Sequence, residues 1–193
     1  MKRISCLCCG LDTLKPILNI GMHPFADSFY SDEDTYKGVV FFPLGCVFCE
    51  NCNLIQTVCQ TDAAVRYRGV DYAYNSENSS LAKKHWASFV DNHLAWGLAD
   101  GDFVVEVGSN DGYLLSLFLE LGYSTLGVDP AKTQSAIARS RGLDIVEAIF
   151  TSSKAKQITA EYGKKAKLVV ANNVLKHSDD PVDFLNGVKD LLH

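Results

Sequence analysis

The spacing of hydrophobic positions changes along the chain, and the changes divide it. From Gly101 onward, short β-branched runs alternate with stretches of helical period. Phe103-Val104-Val105-Glu106-Val107 reads as a strand, and after a turn Tyr113, Leu114, Leu115, Leu117, Phe118 and Leu121 repeat as one face of a helix. The alternation continues with a strand over 124–129, a helix over 131–141, a strand over 143–149, a helix over 152–162, a strand over 167–173 and a helix over 181–192. This βαβαβαβα order predicts an α/β fold with a partial doubly wound, Rossmann-like parallel sheet that takes ligands at the carboxyl ends of its strands. Asn172, Asn173 and His177 fall at such an end.

The first third of the chain has a different rhythm. Val39–Leu44 and Leu54-Ile55-Gln56 read as short strands, separated from each other by a cysteine cluster, and the stretch before them carries an acidic loop at Ser31-Asp32-Glu33-Asp34. A small β-rich domain is the expectation. The residues from Tyr67 to Ser80 read as an extended segment ending in helix N-cap signals, followed by a helix over 80–96 with Leu81, His85, Phe89 and Leu94 on its inner side. His85 and His93 are read as helix-surface or core-edge histidines. The boundaries are a first domain at 1–66, a linker and helix at 67–100, and the parallel-sheet domain at 101–193.

Composition narrows the function. A chain of 193 residues that is 47% hydrophobic can bury a core, and a formal net charge of −5 argues against general binding to nucleic acid or a membrane surface. No apolar run approaches transmembrane length, and the start lacks the apolar segment of a signal peptide. Seven cysteines, six of them in two clusters, suit thiolate metal ligation in the cytoplasm better than a disulfide framework. Cys6-Leu7-Cys8-Cys9-Gly10 supplies one C-x-x-C pair, and Cys46-Val47-Phe48-Cys49-Glu50-Asn51-Cys52-Asn53 allows two overlapping ones. A knuckle turns sharply after its second cysteine, and the next residue needs left-handed backbone angles. Gly10 and Asn53 tolerate that and Glu50 does so poorly. Cys6, Cys9, Cys49 and Cys52 are therefore the expected zinc ligands, a closed site that staples a zinc ribbon and does no chemistry. Cys8, Cys46 and Cys59 are left over, and His23 is read as a loop residue beside Pro24.

The strand-turn-helix at Phe103–Leu114 carries the second piece of chemistry. Gly108-Ser109-Asn110-Asp111-Gly112 is a turn in which glycine lets a ligand approach the backbone, with helix N–H groups behind it. Asp129, in Gly127-Val128-Asp129-Pro130, follows about twenty residues after the turn, the spacing at which a carboxylate meets a ribose. A dinucleotide would bring its pyrophosphate against Asp111, whereas a sulfonium cofactor carries no phosphate and makes Glu106 and Asp111 tolerable. The carboxylates favour S-adenosylmethionine over a nicotinamide cofactor.

These residues also carry a resemblance. Val105–Gly112, Gly127–Pro130 and Ala171–His177 resemble the motifs of the zinc-containing, S-adenosylmethionine-dependent sugar C-methyltransferases, whose catalytic part is a class I methyltransferase domain. Cys6-x-x-Cys9 and Cys49-x-x-Cys52-Asn53-Leu54-Ile55-Gln56 resemble that family's zinc-binding domain, and Tyr72-Ala73-Tyr74-Asn75-Ser76 its linker. The resemblance implies C-methylation of a nucleotide-linked keto-deoxysugar in deoxysugar biosynthesis. It implies that Glu106, Gly108, Asn110, Asp129 and Asn173 hold the cofactor and that Tyr72, Tyr74 and His177 face the sugar. From the residues alone, His177 is read either as a proton-transfer group or as a packed or capping histidine. Family members run to about twice this length, so a chain lacking the C-terminal half of the acceptor site is expected, with a homo-oligomer or partner chain covering the edge of the fourth parallel strand. The other reading is a non-catalytic zinc-binding interaction module on a degenerate Rossmann half.

Overall fold

The computed structural model describes residues 3–26, 39–68, 74–77 and 79–192. Tyr72 and the acidic loop lie outside the described residues. The chain forms two compact units, Met1–Ala73 with Asp179–Val182, and Tyr74–Ser178 with Asp183–His193.

The first unit is an antiparallel sheet of β1 (Leu14–His23), β2 (Phe42–Cys49) and β3 (Ile55–Thr57), in the order β1-β2-β3. In β2 the alternation is clear towards its end, where Gly45, Val47 and Cys49 are buried. β1 is a strand that the polar pattern does not announce: every residue between Leu14 and His23 is exposed, and Pro16 lies within it. Both features belong to an edge strand paired on one side, where a missing N–H costs nothing and neither face is a core face. His23 is thus the last residue of a strand and not a loop histidine, and its Nε2–H donates to the carbonyl of Ile20 at 3.1 Å. Tyr67 and Arg68 end the short helix α1 (Ala63–Arg68) where an extended segment was expected.

In the second unit, α2 (Ser80–Val90) begins at Ser79, whose hydroxyl accepts the Ala82 N–H at 3.1 Å. It stops at Val90, and a separate 3₁₀ turn covers His93–Trp96. Of the expected inner residues Phe89 does face inward, together with Ala82, Trp86 and Val90, while His85 is exposed and Leu81 and Leu94 are 76% and 72% exposed.

The strands β4 (Phe103–Val107), β5 (Ser124–Val128), β6 (Ile145–Val146) and β7 (Leu168–Val170) are all parallel, in the order β6-β5-β4-β7. The helices α3 (Tyr113–Glu120), α4 (Lys132–Ser140), α5 (Ser152–Tyr162) and α6 (Pro181–Leu191) alternate with them. All five residues of β4 are buried, as a central strand covered on both faces requires. Val104 packs with Leu114, Leu115 and Phe118 of α3 and Ala138 of α4 on one face. Phe103, Val105 and Val107 pack with Ala155 and Ile158 of α5 and Phe184 and Leu191 of α6 on the other. β6 and β7 are shorter than the apolar runs around them, so Asn172 and Asn173 stand just past a strand end. Among the described residues, β7 pairs with β4 alone.

Candidate functional site

Four sulfurs come together in the first unit. The Sγ atoms of Cys6, Cys9, Cys49 and Cys52 all lie within 4.8 Å of one another, with Cys6–Cys52 at 3.5 Å and Cys9–Cys49 at 3.6 Å. A tetrahedral zinc with Zn–S bonds of ~2.3 Å has S···S edges of ~3.8 Å, so the donor set fits that ion. The turns that shape it are those the sequence required: Gly10 has φ of 76° and Asn53 of 62°. N–H and O–H groups point back at the sulfurs, from Cys8 N–H to Cys6 at 3.4 Å and from the Thr13 hydroxyl to Cys49 at 3.6 Å. The N–H of Cys52 and the Thr13 hydroxyl bring the Cys49 thiol down to about 6. Burial and the neighbouring thiols, against an N–H from Leu54, push Cys52 up to about 12. Sulfurs this close can all be thiolates only with a cation among them. Gln56, buried beside the cluster, accepts the Leu7 N–H at 3.0 Å and so ties down the first knuckle between its two cysteines. His23 is not part of this cluster.

The second site lies at the carboxyl ends of β4, β5 and β7. Asp129, one residue past β5, is 7% exposed. Its Oδ2 accepts the Asn110 N–H at 2.9 Å and its Oδ1 the Ala131 N–H at 2.8 Å, which fixes the carboxylate and leaves each oxygen a further lone pair. Burial raises its pKa, as does the charge of Asp111, while the two N–H groups work against the rise. Glu106 on β4 is 6% exposed, and its Oε2 has no hydrogen-bond partner among the described residues. Burial pushes its carboxyl well above the ordinary glutamate value, and Asp129 and Asp111 add to the shift. The Nδ2 of Asn172 and the hydroxyl of Ser109 are likewise buried without partners.

The turn between β4 and α3 has little room for side chains at its glycines. A Cβ on Gly108 would lie 2.2 Å from Val174 Cγ2, and one on Gly112 would lie 2.3 Å from Leu143 Cδ1. Both positions therefore need glycine for close packing at positive φ. Asp111, 1% exposed, spends its carboxylate on the N–H groups of Tyr113 at 3.2 Å and Glu77 at 3.3 Å. The Asn110 side chain is also engaged, accepting the Ser76 N–H at 3.2 Å and donating to the Tyr74 carbonyl at 3.0 Å. Asn173 is exposed at a φ of 59°. Tyr74 and His177 are exposed as well, His177 on a 3₁₀ turn after β7. The sequence reasoning missed Ser109, Glu77 and Arg141. Glu77 and Arg141 are neighbours only through the fold, and no local pattern marks them.

Three buried carboxylates, Glu106, Asp111 and Asp129, thus lie close enough to act on one another at the ends of these strands. Two family models match the chain, one described as a zinc binding domain at residues 6–67 and one as a methyltransferase domain at residues 105–193. The chain thus carries a zinc binding domain followed by a methyltransferase domain. Zinc and S-adenosylmethionine are the cofactors that go with these two domains, and the nicotinamide alternative falls away. The C-methyltransferase NovU of Streptomyces niveus is 34% identical to this chain over 191 residues, 97% of this chain and 44% of that protein. The chain therefore spans less than half the length of the curated relative it matches. Solved structures with some likeness include magnesium protoporphyrin IX methyltransferase of Synechocystis PCC 6803 with bound SAM, at 14% identity over 63% of this chain and 62% of that one, with a TM-score of 0.46. Another is a SAM-dependent methyltransferase of Thiobacillus denitrificans in complex with S-adenosyl-L-homocysteine, at 15% identity over 57% of this chain and 44% of that one, with a TM-score of 0.42. No described helix is long and apolar enough to cross a membrane.

Proposed function

We propose that this chain carries the cofactor-binding part of an S-adenosylmethionine-dependent C-methyltransferase that acts on a nucleotide-linked keto-deoxysugar. The observation that carries the reading is Asp129: a buried carboxylate at the end of the second parallel strand, held by two backbone N–H groups with lone pairs to spare. Asp129 accepts the ribose hydroxyls, Glu106 receives the positively charged part of the cofactor, and the Asn172 amide is available to its carboxylate. Gly108 and Asn110 shape the turn beneath, and Asn173 continues the rim. When bound, S-adenosylmethionine supplies the methyl group. His177 removes the proton beside the sugar ketone, and Tyr72 and Tyr74 orient the sugar. The sugar acceptor is supported by the identity with NovU and by the likeness of the Tyr72–Ser76 segment to the sugar C-methyltransferase linker. The reading assigns the protein to the cytoplasm, where cysteines that form no disulfide stay reduced. It also assigns the β7 edge to pairing with a second copy or a partner chain.

The test is methyl transfer from labelled S-adenosylmethionine to a nucleotide-linked 4-keto-deoxysugar by the zinc-loaded chain, with the product located by mass spectrometry. Label on a ring carbon, lost by about 100-fold or more in His177→Ala, is the expected result. A chain that binds S-adenosylhomocysteine but transfers nothing to such a sugar contradicts the proposal and supports a non-catalytic module.

A further inference from the structure

The segment 74–77 has no regular secondary structure, yet it is bonded along its length to the turn between β4 and α3. Tyr74 accepts from Asn110 Nδ2 at 3.0 Å, Ser76 N–H donates to Asn110 Oδ1 at 3.2 Å, and Glu77 N–H donates to Asp111 Oδ2 at 3.3 Å. From behind, Trp86 Nε1–H donates to the Ser76 carbonyl at 3.3 Å. Asn110 is the pivot. Its side chain is spent on this strap and on its own neighbour's N–H, its φ is 51°, and its backbone N–H is one of the two that fix Asp129.

One cation closes the arrangement. Arg141, at the end of α4, donates from Nε to the Asp111 carbonyl at 2.8 Å, and its Nη1 lies 3.2 Å from Glu77 Oε2. Its guanidinium carbon is 5.9 Å from the centre of the Tyr113 ring. The same group therefore touches the turn and the strap. Lys83, 3.7 Å from Glu77, can add charge but does not share this geometry. Beside Arg141, the Glu77 carboxyl is held below its ordinary value.

We propose that Arg141 is a positioning residue for cofactor binding, clamping the Tyr74–Glu77 strap onto the Asn110–Asp111 turn so that the Asn110 N–H holds Asp129 in its ligand-accepting orientation. The inference rests on the reading of Asp129 as the ribose-binding carboxylate. It makes the strap part of the cofactor site, although none of its side chains need touch the cofactor.

The experiment is calorimetric titration of the zinc-loaded chain with S-adenosylhomocysteine, for wild type, Arg141→Ala, Arg141→Lys, Glu77→Gln and the double variant Glu77→Gln/Arg141→Ala, together with amide hydrogen exchange. Arg141→Ala is expected to weaken binding roughly tenfold, in the range of coupling within one hydrogen-bond network. Arg141→Lys should recover part of that loss, and the double variant should bind no worse than Arg141→Ala. Exchange at Ser76, Glu77 and Asn110 should quicken in Arg141→Ala while amides of α5 and α6 keep their rates. Wild-type affinity in Arg141→Ala, additive losses in the double variant, or a uniform rise in exchange would each overturn the clamp. Should Arg141→Ala fail to fold, Glu77→Gln decides: unchanged affinity and unchanged Asn110 exchange overturn it. If wild type itself gives no heat, the ribose reading falls, while the exchange pattern at these three amides still tests the clamp separately.

Discussion

A carboxylate with one oxygen buried and unpartnered, as in Glu106, costs the folded chain stability whenever it is charged. Burial raises the folded pKa of this group above its ordinary value of 4.5, and Asp129 and Asp111 raise it further. The protonated form is therefore favoured by folding, so the fold is at its best with respect to this group below that value and loses stability as pH climbs through the folded pKa. Glu106→Gln should raise Tm at pH 7 to 8, with the gain shrinking as pH falls towards 4.5, and should weaken S-adenosylhomocysteine binding. Scanning calorimetry across that range checks it, and a lower Tm for the variant at pH 8 would count against the account. At the metal cluster the comparable residue is Thr13, whose hydroxyl lies 3.6 Å from Cys49 Sγ. Removing such an outer partner typically lowers metal affinity about 10- to 100-fold, so Thr13→Val should give up zinc to a chromogenic chelator at correspondingly lower competitor concentration. Retention equal to wild type would show the contact to be idle.

Among the elements, α2 separates what the sequence discloses from what it does not. Leu81 and Leu94 are strong apolar residues at plausible spacing, yet both are exposed, while Phe89 lies inside as expected. Packing selects Trp86, Phe89 and Val90, because these are the residues that reach the cluster around Leu114, Leu115 and Phe118. Leu81→Ala should accordingly change stability by less than about 0.5 kcal/mol. Trp86→Ala, which loses both packing and the bond to Ser76, should cost about 2–4 kcal/mol in urea denaturation. Equal effects would restore the face expected from the sequence. β1 was illegible for a different reason: an exposed edge strand has no buried face to impose alternation. The metal turns were legible to the residue, because a left-handed angle after the second cysteine admits Gly10 and Asn53 and excludes Glu50. The spacing of Asp129 from the glycine turn was legible as a meeting of the two, and the Asn110 N–H does donate to it. What periodicity could not show is that Gly108 is also required by the side chain of Val174, which lies where a Cβ would stand.

At the scale of the whole molecule, the parallel order β6-β5-β4-β7 puts the carboxyl ends of β4 and β5 side by side, which brings Glu106 and Asp129 within electrostatic reach of each other from strands about twenty residues apart. The Glu77–Arg141 clamp spans elements that only this topology makes neighbours, which is why no stretch of sequence announces it. The account as a whole stands on Asp129 as the anchor of a phosphate-free, positively charged nucleoside. The most direct measurement is a pair of calorimetric titrations of S-adenosylhomocysteine into the zinc-loaded chain and into Asp129→Asn. The wild type should give a saturable one-to-one isotherm, and the variant should bind about 100-fold more weakly, the loss expected when two ribose hydroxyls exchange a carboxylate for an amide. Identical isotherms, or no heat from a folded wild type, would contradict it.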